Sequence, residues 1–332
     1  MRLASRKTEN RSAVVLVTTC LLALLQTTGQ ADDDRYPTRS DSDPDRFERD
    51  IAFYTEAIRT DPMNPGLYRA RGKAGYLARH YDRAILDFGV AIQLRPTDGP
   101  SYAARALCWC EKGDFGKAVD DCNEAVRVGP QTSRMLFGRA WVWLRMARFD
   151  QALADLTEAI RLEPTLGPAY ELRGYAWARK GGFAKSVADY EEAARLDPSN
   201  LAACNSAAWM RATCPVDSVR NGKKAVELAV RACVLTGWKE GSRLDTLAAA
   251  YAELGEFDGA VKWQEAAISG YQDPIARARA CERLALYRSR RPFRNEPKSK
   301  VRDDLLAMRI GWLYSTRIGL VARHPVGGVL RP

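Results

Sequence analysis

The chain has 332 residues and a formal net charge of +10. The charge is concentrated at the ends, because residues 1–31 hold four basic and one acidic side chain and residues 288–332 hold eleven basic and three acidic ones. The stretch 32–287 between them is therefore nearly neutral, at −1. A nucleic-acid groove needs a basic face for the phosphates, so this distribution argues against nucleic acid as a partner.

The first 31 residues have the order of segments that is typical of a secretory signal peptide. Basic residues precede the apolar run Ala13–Leu25, and small residues then lead to a cleavage point after Ala31. The run is shorter than the roughly 20 residues of a membrane-spanning helix, so an anchor formed by an uncleaved signal is the alternative. The sequence predicts an exported protein, periplasmic or extracellular, with a polar linker at 32–45.

A 34-residue period dominates the next part of the chain. It is marked by five prolines, namely Pro62, Pro96, Pro130, Pro164 and Pro198. Each follows similar text, such as "TEAIRTDP" and "LTEAIRLEP". Proline cannot extend a helix, since it lacks an amide donor and clashes with the preceding turn. Each unit is therefore predicted to be helix, short turn, helix and stop, and the absence of alternation at period 2 argues against β-structure.

Small residues recur inside each repeat when its proline is numbered 32. Positions 8, 20 and 27 hold Gly72, Ala106, Ala140, Gly174 and Ala208; Ala84, Ala118, Ala152 and Ser186; and Ala57, Ala91, Ala125, Ala159 and Ala193. Two antiparallel helices approach closely only where side chains are nearly absent. The period and these small positions resemble the tetratricopeptide repeat family. The resemblance implies an all-α, right-handed solenoid of stacked antiparallel helix pairs, and a binding scaffold rather than an enzyme.

The array is predicted to cover residues 46–288, with a lone helix at 46–61 followed by about six helix pairs. The repeat at 201–238 has five residues added to the turn between its helices. A last helix at 275–288 is expected to cap the stack, because terminal repeats must shield its exposed end. The basic tail 289–332 is predicted to be mostly disordered, with a weak contact to a membrane surface as one function for it.

Cysteine and histidine patterns suggest no chemistry. Cys204 and Cys233 stand at positions 4 and 28, which lie level in a helical hairpin, so they are the candidate disulfide in an oxidising compartment. Packing of small apolar thiols is the alternative. His80 and His324 stand outside any metal-ligand spacing, and the sequence has no phosphate-binding loop or nucleophile motif. We therefore expect no metal, no cofactor and no catalytic residue, and rank an enzyme third among the functions.

Two charged columns follow the same period. Position 7 holds Arg71, Arg105, Arg139 and Arg173, and position 23 holds Asp87, Asp121, Asp155 and Asp189. The arginines could form an anion-binding row, or each could use its planar fork on a carboxylate in an internal ladder of ion pairs. Matching columns of both signs favour the structural ladder.

Aromatic residues form two further columns. Position 11 holds Trp109, Trp143 and Trp177, and position 9 holds Trp141, Tyr175 and Trp209, which we call the aromatic row. Two residues along a helix turn by about 200°, so the aromatic row should face away from the core side on which position 11 lies. In the family that this chain resembles, that side of the first helix of each pair lines the concave groove.

These patterns predict a groove that binds a peptide or helix of a partner protein. Its predicted residues are Arg69, Lys73, Phe137, Trp141, Glu171, Tyr175, Arg179, Asn205 and Trp209. Arg69 and Lys73 partly resemble the carboxylate-clamp subtype of the family, but Ala104 and Gly138 replace its polar groups in later repeats. The leading function is a non-catalytic, exported interaction scaffold. The alternative is an envelope-associated structural protein that holds a membrane or anionic polymer through its basic tail.

Overall fold

The structure, a computed structural model, describes residues 46–129 and 132–295. Within these ranges the chain forms fourteen α-helices and no β-strand. In chain order they are α1 (Arg46–Thr60), α2 (Pro65–Leu77), α3 (Tyr81–Leu94), α4 (Gly99–Lys112), α5 (Phe115–Val128), α6 (Ser133–Arg145), α7 (Phe149–Leu162), α8 (Gly167–Arg179), α9 (Phe183–Leu196), α10 (Leu201–Thr213), α11 (Gly222–Leu235), α12 (Gly241–Leu254), α13 (Phe257–Gly270) and α14 (Pro274–Arg288).

Consecutive helices pack on one another along the whole described chain. Helix α1 stands alone at the start, six pairs run from α2/α3 to α12/α13, and α14 packs on α13 at the end. The predicted all-α solenoid of stacked helix pairs is confirmed. None of the helices in the described ranges has both the length and the apolar character needed to cross a membrane.

The small residues lie where paired helices touch. Ala84, Ala118 and Ala152 are fully buried at position 20. At Gly72 an added Cβ would lie 2.9 Å from the Phe88 ring, which is itself fully buried. Backbone and ring therefore meet in α2/α3 at a distance that only glycine permits, because real Cβ atoms do not approach other atoms so closely.

Helix ends follow the proline and capping signals. Pro96 stands two residues beyond the last residue of α3, and Pro164 stands two beyond the last residue of α7. At the start of α2 the Asn64 side chain accepts a hydrogen bond from the Gly66 amide at 3.0 Å. Asn200 does the same for the Ala203 amide of α10 at 2.9 Å. These caps satisfy backbone donors that the first turn of a helix leaves without a partner.

The long connection between α10 and α11 is held by two arginines. Arg211 donates to the Val219 carbonyl oxygen at 3.0 Å, and Arg220 donates to the Cys214 carbonyl oxygen at 2.8 Å. A 3₁₀ turn at Asp217–Val219 lies between them. The added residues thus form an ordered turn at the place that the interrupted spacing indicates.

The first residues of the tail 289–332, which we predict to be mostly disordered, belong to the described chain. Residues 289–295 return to the array, and the Asn295 amide donates to the Thr213 carbonyl oxygen at 2.8 Å. The reversal begins at Arg290, whose φ of 55° lies in the left-handed region that ends many helices. The predicted signal peptide, the linker and the rest of the tail fall outside the described residues.

The prediction of a disulfide between Cys204 and Cys233 is wrong, because both are free, buried thiols. Cys204 packs in a cluster with Ala193 and Ala203, whereas Cys233 belongs to the large cluster around Leu247. The two sulfur atoms therefore fill different apolar spaces, as small hydrophobic side chains do. Burial raises the pKa of Cys233 to about 11.

Candidate peptide-binding groove

The two charged columns pair within each repeat. In every pair the arginine donates Nε–H to one aspartate oxygen and Nη2–H to the other, as in Arg139–Asp155 at 2.8 and 2.7 Å. The other pairs are Arg71–Asp87, Arg105–Asp121 and Arg173–Asp189. The four aspartates are buried, and the hydrogen bond to Asp155 raises the pKa of Arg139. With two donors committed to a buried carboxylate, each arginine joins the two helices of its pair.

A column of tyrosines, which sequence reasoning missed, packs against the arginines of three of these pairs. Tyr68, Tyr102 and Tyr170 occupy position 4, and each ring lies under the guanidinium of its own repeat's ladder arginine, at 5.7, 5.8 and 5.4 Å. Such contacts between cations and aromatic rings are favourable. The signal was present, since the three tyrosines stand at multiples of 34 residues.

The aromatic row is interleaved with arginines. Arg145 lies one helical turn after Trp141, and its guanidinium is 5.0 Å from the centre of the Trp141 ring. The same guanidinium lies 5.2 Å from the centre of the Phe115 ring in the preceding repeat. Both Trp141 and Arg145 are half-buried. Arg145 thus contacts one ring of its own repeat and one ring of the preceding repeat.

A related cluster occurs one repeat later, in which the two rings contact each other and the arginine lies beside both. Arg179 lies 5.9 Å from the centre of the Tyr175 ring and 5.1 Å from that of Phe149. Its Nη1–H also donates to the Tyr175 hydroxyl at 3.0 Å, and the two rings meet edge to face with centroids 6.5 Å apart. Sequence reasoning placed Tyr175 and Arg179 in the groove but missed Arg145, Phe115 and Phe149. The period contains a partial signal for them, because position 17 repeats phenylalanine and position 13 is arginine in two neighbouring repeats.

The prediction that position 5 lines the groove is wrong, because the side chains at this position are engaged in contacts within the fold. Phe137 is 5% exposed and packs in a core cluster that Leu166 covers. Glu171 is 9% exposed and accepts a hydrogen bond from the Asn200 amide at 2.9 Å. Burial raises the pKa of the Glu171 carboxyl. Glu171 thus contacts a residue 29 positions later, where the chain enters the next repeat, and Leu166 packs against the cluster of Phe137. Because both side chains are buried, they do not line an open groove.

Arg69, at the start of the array, also contacts a residue 29 positions later. Its Nη1–H donates to both oxygens of Asp98, 29 residues later, at 3.0 and 2.8 Å. Its guanidinium is therefore engaged within the fold, unlike that of a clamp that awaits a carboxylate. Lys73 lies on the same helix and is half-buried.

The third member of the aromatic row is covered by the chain itself. The Phe293 ring lies 5.8 Å from the Trp209 ring, and the Arg283 guanidinium lies 5.7 Å from Trp209. Arg283 is in turn fixed by hydrogen bonds to both oxygens of Asp245. Nearby on α10, Asn205 is half-buried, and its Oδ1 has no hydrogen-bond partner among the described residues.

Burial alone does not separate the two aromatic columns. Trp143, which we predicted to lie in the core, is half-buried and packs on the cluster of Phe137 and Leu156. Trp141 is half-buried as well and packs on the neighbouring cluster around Val142. Trp141 and Trp143 thus have similar burial but different neighbours.

Over the described ranges, no group of three or more His, Cys, Asp or Glu side chains could hold a metal ion.

Stacked helix pairs with a 34-residue period define the chain as an α-solenoid. The family model for the tetratricopeptide repeat matches residues 137–200. The chain thus contains tetratricopeptide repeats, and its helix pairs stack as in a tetratricopeptide solenoid. No curated protein matches it in sequence.

Several solved structures share the fold. PilW, a type IV pilus biogenesis factor, superposes with a TM-score of 0.56 at 14% identity, over 65% of this chain and 98% of PilW. PilF of Pseudomonas aeruginosa gives a TM-score of 0.55 at 14% identity, over 71% of this chain and 99% of PilF. The APC/C assembly Cut9–Hcn1 gives 0.56 at 12% identity, over 82% of this chain and 52% of the matched one. At these identities the likeness concerns the fold alone.

Proposed function

We propose that this protein is a non-catalytic, exported scaffold whose groove binds an extended segment of a partner protein at Trp141 and Tyr175. The observation that carries the proposal is that Arg145 and Arg179 each contact a ring of the aromatic row and a phenylalanine of the preceding repeat. Aromatic and arginine side chains are the residues that contribute most to binding at protein interfaces.

These contacts also favour binding because they hold the side chains in place. An arginine that packs against two rings has already lost much of its rotational freedom, so less entropy is lost when a partner binds. A segment with apolar and aromatic side chains would match a surface of rings and guanidinium groups.

Export is the second part of the proposal and rests on residues 1–31. The expected mature chain begins at Asp32, because the small residues before it fit a signal-peptidase site. The mass of the N-terminal peptide of the protein isolated from its native host checks this. An intact N-terminus in a membrane fraction would support the anchored alternative instead.

Photocrosslinking tests the groove directly. A photoreactive residue replaces Tyr175, and a control replaces Leu86, which is 69% exposed on α3. We expect the first to crosslink one recurring segment of one partner, identified by mass spectrometry, and the second to give no such product. Equal products at both positions would contradict a groove site.

Deleting residues 296–332 tests the alternative function. If the basic tail holds an envelope surface, its loss should abolish that association.

A further inference from the structure

The segment 291–295 lies on the array without regular secondary structure. It follows the chain reversal at Arg290 and belongs to none of the fourteen helices of the described chain. Phe293 is half-buried, whereas Arg291 and Asn295 at its two ends are exposed. The segment therefore contacts the array mainly through its middle.

Three contacts hold the segment. The Phe293 ring packs on Trp209 and lies 5.6 Å from the Arg283 guanidinium. The Arg294 Nη1 lies 2.7 Å from a carboxylate oxygen of Glu253, a side chain that Arg220 also contacts at 3.0 Å. The Asn295 amide donates to a helix-terminal carbonyl oxygen. An aromatic anchor, an ion pair and a backbone hydrogen bond are the kinds of contact by which protein surfaces hold extended peptides.

Phe293 supplies a second ring beside a guanidinium, as phenylalanines of the array do in the earlier repeats. Around Arg145, a guanidinium contacts a ring of the aromatic row and a phenylalanine from the preceding repeat. Around Arg283, the ring of the aromatic row is Trp209, and the second ring is Phe293. Here the second ring comes from a terminal segment instead of a packed helix.

The attachment is weaker than that of the helix before it. Helix α14 is anchored by Tyr287, which is fully buried, and by Leu284. The segment has only one half-buried ring, and the side chain of Arg294 is 32% exposed. Local unfolding of such a segment costs less free energy than unfolding of the array. It can therefore leave its site while the solenoid stays folded.

The geometry points to a peptide subsite formed by Trp209, Arg283 and Glu253, which takes an aromatic side chain followed directly by a basic one. The chain's own Phe293–Arg294 is its resident occupant, and a partner segment with the same pair of residues displaces it. This inference rests on the proposed function, because it names the chemistry of the partner at one end of the same groove.

A labelled peptide of residues 290–297, RRPFRNEP, tests the subsite by fluorescence anisotropy with the full chain. A tethered segment competes at an effective concentration on the order of mM. The peptide should therefore bind Phe293→Ala at least about tenfold more tightly than wild type. Phe293→Ala with Trp209→Ala should not bind it. The control is Phe293→Ala with Trp238→Ala, a change at an exposed ring that stacks on Trp263, and it should bind normally. A peptide with alanine in place of its phenylalanine should not bind.

Two outcomes would overturn the inference. One is a folded Phe293→Ala variant, checked by helical circular dichroism, that fails to bind the peptide. The other is equal binding by wild type and variant. If Phe293→Ala lowers folding, Arg294→Ala offers a second way to loosen the segment and should also tighten peptide binding. Adding Trp141→Ala and Tyr175→Ala to Phe293→Ala should leave peptide binding intact, so failure here is distinguishable from failure of the proposed groove at those residues.

Discussion

The guanidinium of Arg139 and the carboxylate of Asp155 form two parallel hydrogen bonds, of 2.8 and 2.7 Å, between the helices of one pair. The Asp155 side chain is 9% exposed and that of Arg139 is 21% exposed. The pair is therefore largely removed from water, and its contribution to folding depends on both partners being present.

We expect Arg139→Ala to lower the free energy of unfolding by about 3 kcal/mol, because it leaves a buried carboxylate without its partner. Denaturant melts measure the loss. The control is Arg161→Ala, whose ion pair with Glu158 lies on the helix surface and should leave the melt unchanged. Arg139→Ala with Asp155→Ala should be less destabilised than the sum of the single variants. Additive losses would show that the pair does not act as a unit.

Glycine at position 8 gives a second prediction. Gly72→Ala should lower the free energy of unfolding by about 1–3 kcal/mol, because its new methyl group would meet the Phe88 ring at 2.9 Å. Gly89→Ala on α3 is the matched control, since its nearest contact would be an ordinary 3.7 Å. Within a helix that change should stabilise by about 0.5–1 kcal/mol. Opposite signs in thermal melts support the close approach, and two stabilising changes would contradict it.

The buried carboxyl of Glu171 should make the stability of the fold depend on pH. Burial raises its pKa in the folded chain from an ordinary value of 4.5. Folded protein then binds the proton more tightly than unfolded protein, so stability falls as pH rises from 4.5 through the folded pKa. Glu171→Gln has no such ionisation, and its amide oxygen can still accept from Asn200. We expect it to melt higher than wild type at pH 8 and equally below pH 4.5.

Glu158→Gln is the control for this profile. The hydrogen bond from Arg161 lowers the pKa of the Glu158 carboxyl, so its ionised form is the one that favours folding. Its replacement should change stability in the opposite direction at pH 8, if at all. A Glu171→Gln variant that melts lower than wild type at pH 8 would show that the charged carboxylate is stabilising.

Trp143 offers a matched control for testing whether Trp141 binds the partner. Both are half-buried on α6, so each change to alanine should lower the free energy of unfolding by about 2 kcal/mol, less than for a fully buried ring. Only Trp141→Ala should weaken partner binding, by roughly 30-fold or more. Titration of the crosslinked segment as a synthetic peptide measures the difference. Equal losses of binding would mean that stability alone accounts for the effect.

Much of the fold could be predicted because one hairpin is repeated. Every repeat places positions 7 and 23 at the same level, so the pairing of Arg71 with Asp87 follows from two columns of opposite charge. The same regularity located the added turn after α10, where the spacing changes. The period also contained the phenylalanines at position 17, but arginine stands at position 13 in only two neighbouring repeats, so the arginine–ring contacts were weakly indicated.

Position 5 could not be assigned from spacing. Phe137 stands four residues before Trp141, and a step of four residues keeps both on one side of the helix. What separates them is Leu166, which packs over the cluster of Phe137 from 29 residues further along the chain. Asn200 makes the same long-range contact with Glu171. Burial at this position depends on where the next repeat begins in space.

The sequence by itself determined the solenoid, since a repeated pattern of small residues, prolines and paired charges specifies each hairpin locally. Tertiary structure decided which parts of the aromatic row stay open. Residues 289–295 lie outside the period, and no local pattern indicates that Phe293 packs on Trp209. That contact joins residues 84 positions apart, and it forms because stacking of the last helix pairs brings Arg283 and Trp209 together and leaves space for one more ring.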